Sequence, residues 1–115
     1  HDFRIVIGGK DCLQPYSASV FNISAMSFGS LSANAIRALN LGAEMGNFFH
    51  DTGEGSLSEY HLESKGDLVW EIGSGYFGCR TVDGHFDPQQ FQNKAINTQI
   101  KMIEIKIIAT DVFFI

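Results

Sequence analysis

The stretch Asn22–Ile36, NISAMSFGSLSANAI, joins a strand pattern to a helix pattern through a turn of small and apolar residues. Ser19–Ala25 alternates polar and apolar residues at period two, which predicts a strand with one apolar face. After the turn, Ser30 or Ser32 can accept a hydrogen bond from the first helical turn, and apolar residues recur at helical spacing as far as Gly46. The stretch therefore predicts a strand-turn-helix unit, and its turn is more elaborate than a simple connector requires.

Strand and helix patterns alternate along the rest of the chain. Strands are predicted at Arg4–Ile7, Asn47–Asp51 and Ile100–Ile107, and a loop is predicted at Cys12–Ser17. Asp67–Ile72 fits both the strand period and the helix period, so its type stays open. Asp87-Pro88 is typical of an N-cap followed by proline at the first helical position, and it predicts a helix that reaches about Asn97.

The order of these elements is typical of a parallel α/β protein. Two Gly-rich turns, Ala25–Gly29 and Thr52–Gly55, each follow a predicted strand. Because the carboxyl ends of parallel strands meet at one edge of a sheet, we expect both turns to lie there and to carry the functional site. A closed eight-stranded barrel takes about 250 residues, so a chain of 115 residues could supply less than half of one.

The composition excludes several classes of function. The formal net charge is −5, and no cluster of basic residues is present, so nucleic acid is an unexpected partner. No apolar run approaches the roughly 20 residues that cross a bilayer, and the first residues lack the pattern of a secretory signal. The sequence therefore predicts a cytoplasmic protein that does not bind membranes.

Neither the cysteines nor the histidines predict a metal centre. Cys12 and Cys79 are far apart in the sequence, and no histidine stands at metal-ligand spacing from either of them. This pattern favours two reduced thiols. His50 and His61 flank the second Gly-rich turn, but two histidines without a third ligand do not define a metal site. We expect both histidines to be structural or to lie at the rim of the site.

Four segments together resemble a known family. They are PYSASVFNISAMSFGSLSANAIRALNLGAEMGNFFHDTGEGSLSEYHL, GDLVWEIGSGYFGCR, DGHFDPQQF and QIKMIEIK. In this order they are similar to the FMN-binding barrel domain of the glutamate synthase family, above all to its stand-alone members. The resemblance implies a (β/α)8 barrel of the TIM type, of which residues 1–107 would be the amino-terminal part. It also implies FMN at the carboxyl-terminal mouth and reduction of the imine of 2-oxoglutarate and ammonia to L-glutamate.

The resemblance assigns the first turn to the flavin. Residues Ala25, Met26, Ser27, Phe28 and Gly29 would lie against the ring, with Ser27 as a candidate donor to a ring carbonyl. A flat ring edged with carbonyl and imide groups requires close backbone approach and available donors, which such a turn can offer. The ordinary alternative is that the apolar residues of the turn fill the barrel mouth and its glycine permits the bend.

The resemblance also assigns residues to the substrates. Thr52, Gly53, Glu54 and Gly55 would lie beside the keto acid, with Glu54 as the candidate that handles the proton of ammonia or imine. Lys106 would neutralise charge on the reduced flavin or pair with a carboxylate of 2-oxoglutarate. The ordinary alternatives are a solvated loop acid and an exposed lysine at a strand end. Ser56 stands where the family commonly has glycine.

The resemblance stops after Ile107. Residues 108–115 form a divergent tail with an apolar end, Val112–Ile115, and the cysteines that ligate the iron-sulfur cluster of some family members have no counterpart in this chain. We therefore expect an amino-terminal fragment that is inactive alone. Two alternatives stay open: another FMN-dependent barrel oxidoreductase, or a non-enzymatic remnant that self-associates through an exposed strand edge.

Overall fold

A computed structural model describes residues 3–107 of the chain. These residues form five strands and three helices. In chain order the elements are β1 (Arg4–Ile7), β2 (Tyr16–Ser19), α1 (Ala33–Gly46), β3 (His50–Asp51), α2 (Glu59–Leu62), β4 (Leu68–Ile72), α3 (Pro88–Ala95) and β5 (Ile100–Ile105).

The main sheet is parallel, with strand order β3-β4-β5. Ile23 extends it by an isolated parallel bridge to His50, on the side of β3 opposite β4. Helices connect the successive strands, as the sequence predicted for an α/β protein. The segment Asp67–Ile72, which the sequence left open, contains the central strand β4, and every residue of that strand is buried. A strand buried on both faces has no alternation to reveal its period.

The two longer helices begin where the sequence predicted. Ser32 is the N-cap of α1, and its hydroxyl accepts a hydrogen bond from the Ala35 N–H at 3.2 Å. Asp87 is the N-cap of α3, and its carboxylate accepts from the backbone of the first helical turn. Both caps satisfy amides that have no acceptor within the helix.

Several predicted strand bounds are wrong. Ser19–Ala25 is not a strand: its residues after Ser19 contribute only the bridge at Ile23, while β2 begins at Tyr16, inside the predicted loop. β2 pairs antiparallel with β1, so the first strand is part of a separate hairpin. The strands predicted at Asn47–Asp51 and Ile100–Ile107 are real but shorter. Alternation of side chains indicates that a segment is extended. Where a strand begins and ends depends instead on which backbone groups form hydrogen bonds with a neighbouring strand.

The parallel sheet has two unlike faces. The helix-covered face carries His50, Trp70, Ile72 and Ile103, and on it the Trp70 ring stacks on Phe91 of α3 with centroids 5.5 Å apart. Trp70, Ile72 and Cys79 form the centre of this core.

The opposite face, here called the carboxylate face, carries Asp51, Glu71 and Glu104 from three adjacent strands. It lines a cleft of about 400 Å³ together with Asn22, Ser24 and Ala25 among others.

The α/β class is confirmed, whereas a partial barrel stays a prediction because three parallel strands do not by themselves define one. The predicted divergent tail lies outside the described residues. Within residues 3–107, no helix is long and apolar enough to cross a membrane.

Candidate functional site

The two Gly-rich turns lie together at the carboxyl edge of the parallel sheet, as predicted. Gly53 has φ +70° and approaches Ser27 so closely that a Cβ on it would lie 2.9 Å from the Ser27 nitrogen. Only glycine combines this backbone conformation with this approach. The contact joins the candidate flavin turn to the candidate substrate loop.

The turn Ala25–Gly29 is held by backbone hydrogen bonds on both sides. The Met26 N–H donates to the Asp51 carbonyl at 3.1 Å, and the Ser27 carbonyl accepts from the Leu31 N–H at 3.0 Å. The Phe28 ring lies 4.8 Å from the Tyr60 ring of α2, so it packs at the surface between turn and helix. The Ser27 hydroxyl is bonded to Ser30 at 3.2 Å.

The loop Thr52–Gly55 is buried at its start and accessible at its end. The Thr52 side chain is fully buried, where its hydroxyl donates to the Gly53 carbonyl and accepts from the Glu71 N–H of β4. Thr52 therefore fixes the loop to the sheet, and its side chain is not open to a substrate. Gly55 is exposed, and Glu54 is partly exposed.

Glu54 and Lys106 form an ion pair, although they lie 52 positions apart in the sequence. The Lys106 Nζ is 2.9 Å from a Glu54 carboxylate oxygen, and the two side chains are 43% and 35% exposed. This hydrogen bond raises the pKa of Lys106 above its ordinary value, so the amine stays cationic. The Glu54 side chain lies over Gly73, just beyond β4, where any Cβ would overlap its carboxylate.

Ser56 occupies a conformation that favours glycine. Its φ is +75°, and its buried hydroxyl has no hydrogen-bond partner among the described residues. The backbone thus retains the shape that glycine at this position would adopt freely. The cost is a strained residue and an unsatisfied buried oxygen.

His50 and His61 are both fully buried behind the site, with ring centroids 5.2 Å apart. Burial, and secondarily the neighbouring His61, lowers the pKa of His50 to about 4. Burial also lowers the pKa of His61, against the effect of its hydrogen bond to the Met26 backbone. Both histidines are therefore neutral at pH 7. The prediction of structural histidines agrees with this placement, whereas a place at the rim does not.

The carboxylate face carries a cluster of acids that was not predicted from the sequence. Asp51, Glu71 and Glu104 offer carboxylate oxygens that all lie within 4.8 Å of one another. Burial and the neighbouring acids raise the pKa of Asp51 to about 7, and the same causes raise the pKa of Glu71. A signal was available: each of the segments NFFHD, DLVWEI and IKMIEI contains an acid within an apolar strand.

The cysteines are unpaired and unlike in environment. Cys12 is exposed, whereas Cys79 is buried in the core beside Trp70. Burial raises the pKa of the Cys79 thiol, which makes it a poor metal ligand and nucleophile. Neither cysteine belongs to the candidate site.

Comparison with known proteins identifies a family. Residues 8–109 match the model of a conserved region in glutamate synthase. A glutamate synthase large subunit-like protein of Bacillus subtilis, YerD, is 42% identical over 104 residues, which are 89% of this chain and 20% of that relative.

Two archaeal-type glutamate synthases [NADPH], from Thermotoga sp. strain RQ2 and Thermotoga maritima, are each 42% identical over 55 residues. Those residues are 48% of this chain and 11% of each relative. The chain thus spans about a fifth or less of the length of these relatives. No solved structure matches it significantly. The family match covers most of the sequence, and the chain therefore belongs to the glutamate synthase family.

Proposed function

We propose that this chain is the amino-terminal part of an FMN-binding barrel domain that forms L-glutamate from 2-oxoglutarate and ammonia. The observation that carries the proposal is the Glu54–Lys106 ion pair, which lies at the same sheet edge as the two Gly-rich turns. Membership of the family, and relatives whose names state glutamate synthase, support the reaction class.

The turn Ala25–Gly29 has groups that fit the edge of a flavin ring. Among the described residues, the Ser27 and Phe28 N–H groups donate to no protein acceptor, so both are available to ring carbonyls. Met26 and Phe28 add apolar surface for the ring faces. The flavin, when bound, would supply the hydride that reduces the imine.

Lys106 and Glu54 would serve the substrates. The Lys106 ammonium would pair with a carboxylate of 2-oxoglutarate or neutralise charge that develops on the reduced ring. The Glu54 carboxylate would carry the proton that must move when ammonia condenses with the keto group. Their mutual contact at 2.9 Å would hold each side chain in place before the substrates arrive.

A chimaera tests the proposal. In B. subtilis YerD, the matching region would be replaced by this chain, and purified protein would be assayed for bound FMN and for L-glutamate formed with reduced methyl viologen as donor. We expect Lys106→Met to lower glutamate formation about a hundredfold, because one such charge contributes roughly 3 kcal/mol to transition-state stabilisation. Lys101→Met, at the other end of β5, is the control and should leave turnover unchanged.

Unchanged FMN content together with unchanged turnover in Lys106→Met would remove Lys106 from the site. Chimaeras that fold without FMN would contradict the cofactor assignment. FMN binding without glutamate formation, while unmodified YerD forms glutamate, would favour another FMN-dependent oxidoreductase.

Self-association of the isolated chain is the second candidate. Among residues 3–107, β5 pairs on one side only, and Ile105 is largely exposed, as are Ile5 and Val6 of the hairpin. Such edges and apolar surfaces recruit partners. Sedimentation equilibrium with flavin fluorescence titration should show oligomers that bind FMN weakly. A clean monomer that binds FMN with micromolar or tighter affinity would contradict both the oligomer and the fragment interpretation.

A further inference from the structure

His61 connects the short helix α2 to the candidate flavin turn. It is the third residue of α2, and its ring is fully buried. On one side its Nδ1 lies 3.1 Å from the Ser58 nitrogen and 2.8 Å from the Ser58 hydroxyl. On the other side its Nε2 lies 3.1 Å from the Met26 carbonyl oxygen. Both ring nitrogens are therefore in use, whereas His50 beside it has no hydrogen-bond partner for either of its own among the described residues.

These partners determine the tautomer of His61. A backbone N–H can only donate, so Nδ1, which faces the Ser58 N–H, must be the unprotonated acceptor. A backbone carbonyl can only accept, so Nε2 must carry the proton and donate to Met26. The neutral Nε2–H form satisfies both contacts. In the capping box of α2, His61 takes the place of the usual glutamate or glutamine by accepting from the N-cap backbone. Its second ring nitrogen is free to bond to Met26 in the turn.

The contact at Met26 orients a peptide of the turn. The Met26 carbonyl and the Ser27 N–H belong to one planar unit, in which a trans peptide directs them in opposite senses. When His61 holds the carbonyl, it also fixes the direction of the Ser27 N–H. That N–H donates to no acceptor among the described residues and is a candidate donor to the flavin.

We propose that neutral His61 is a positioning residue, which holds the Met26–Ser27 peptide so that the Ser27 N–H is preset for a ligand carbonyl. That the ligand is a flavin rests on the proposed function, whereas the hydrogen bond from His61 to the turn does not. The Met26 N–H is bonded to Asp51 of β3, so the turn is fixed between the sheet and α2.

Acid should loosen the support of the turn at Ser58. Protonation would keep the Nε2–H donor to Met26, but it would place a proton on Nδ1 against the Ser58 N–H and so break the capping box that holds the ring in place. His50 faces the ring from β3, and the nearby charged pair between α1 and the end of α2 is Arg37 with Glu63. A charge on His61 would also be buried beside His50, which burial keeps neutral. Loss of the capping box therefore requires a pH below the ordinary histidine range.

Nuclear magnetic resonance on the 115-residue chain tests the link without any flavin. With ¹⁵N-labelled histidine at pH 7.5, the His61 ring should show an unprotonated Nδ1 and a protonated Nε2. On acidification, the Ser27 amide signal should shift with the same midpoint as His61, below about 6.5. An Nδ1–H tautomer, or a Ser27 amide that does not move as His61 titrates, would overturn the proposal.

Variants separate positioning from mere packing. His61→Gln keeps an acceptor for Ser58 and a donor for Met26, so it should preserve the neutral Ser27 shift and abolish its acid response. His61→Ala should displace that signal even at pH 7.5. His85→Gln, at an exposed histidine, is the control and should change neither. If the Ser27 signal of His61→Gln matched that of His61→Ala, the proposal would be overturned. If His61→Ala does not fold, the pH titration of the wild-type chain decides.

FMN binding by the chimaera is measured separately. Loss of flavin there with an intact His61 link would refute the proposed function alone. An absent link with flavin bound would refute this inference alone.

Discussion

The two faces of the parallel sheet shift the pKa values of two adjacent residues in opposite directions. His50 and Asp51 are neighbours on β3 and are almost equally buried, yet His50 lies on the helix-covered face and Asp51 on the carboxylate face. Burial penalises the charged form of each, so it lowers the pKa of His50 to about 4 and raises that of Asp51 to about 7. The same physical cause therefore gives the two faces opposite dependence on pH.

The faces also differ in how they are covered. On the helix-covered face, the buried Trp70 ring is stacked on α3 and packed among apolar side chains. On the carboxylate face, acids from three strands line an open cleft. Most of the stability of the sheet should therefore come from packing on the helix-covered face. Repulsion between ionised acids should destabilise the carboxylate face.

The largest expected effect is the loss of the Trp70 ring. Trp70→Ala should lower the free energy of unfolding by about 4 kcal/mol, because it leaves a large cavity against Phe91. Met102 pairs with Val69 and lies half-buried on the carboxylate face of β5, so Met102→Ala should cost less than half as much. Urea unfolding followed by circular dichroism measures both. Equal losses would mean that the two faces contribute alike.

The second effect concerns acid and the helix-covered face. The folded state resists protonation of His50, so unfolding gains protons and stability falls as the pH drops from about 6.5 to 4, by roughly 3 kcal/mol. His50→Phe keeps a ring in an apolar place and should remove this share of the pH dependence. Urea unfolding at several pH values compares it with the exposed-site control His85→Gln. If the stability of His50→Phe fell with acid as steeply as that of the wild type, burial of His50 would not be the cause of the pH dependence.

The third effect has the opposite sign. Because the pKa of Asp51 is raised, the folded state holds protons that the unfolded state releases, and stability falls as the pH rises from about 4 to 7. Asp51→Asn keeps an acceptor for the Gly53 N–H, which now bonds to the carboxylate at 2.8 Å. It should stabilise the chain by about 2 kcal/mol at pH 8 and little at pH 4. A gain that is independent of pH would contradict the assigned cause.

The smallest expected effect on stability is at Ser56, in the loop after Gly55, which belongs to neither face of the sheet. Ser56→Gly should raise the free energy of unfolding by about 1 kcal/mol, since it removes left-handed strain and an unsatisfied buried hydroxyl, partly offset by greater freedom of the unfolded chain. Asn47→Gly, at another left-handed residue that is exposed, should gain less because asparagine tolerates this conformation. Loss of stability in Ser56→Gly would mean that the hydroxyl has a partner.

Much of the fold was predictable because local rules govern it. The caps at Ser32 and Asp87, the helices they begin and the shared edge of the Gly-rich turns all follow from short-range patterns. The bounds of β2 were not predictable, because Tyr16–Ser19 is a strand only through its pairing with Arg4–Ile7.

The sequence named candidate residues whose roles stay a prediction, and it did not reveal the contacts between them. Resemblance named Glu54 and Lys106, yet the ion pair between them depends on strand order, which no local pattern contains. The link from His61 to Met26 was equally hidden, because the sequence does not say which carbonyl a histidine will meet.

A crystal structure of the YerD chimaera grown with FMN would show directly whether the two Gly-rich turns and Lys106 form a flavin site. We predict that the isoalloxazine ring lies in van der Waals contact with Met26–Gly29, within about 4 Å, and that Lys106 lies at its edge or at a bound keto acid. A flavin held elsewhere, with the Ser27 N–H and Lys106 both remote from the ring and from the substrate, would contradict it.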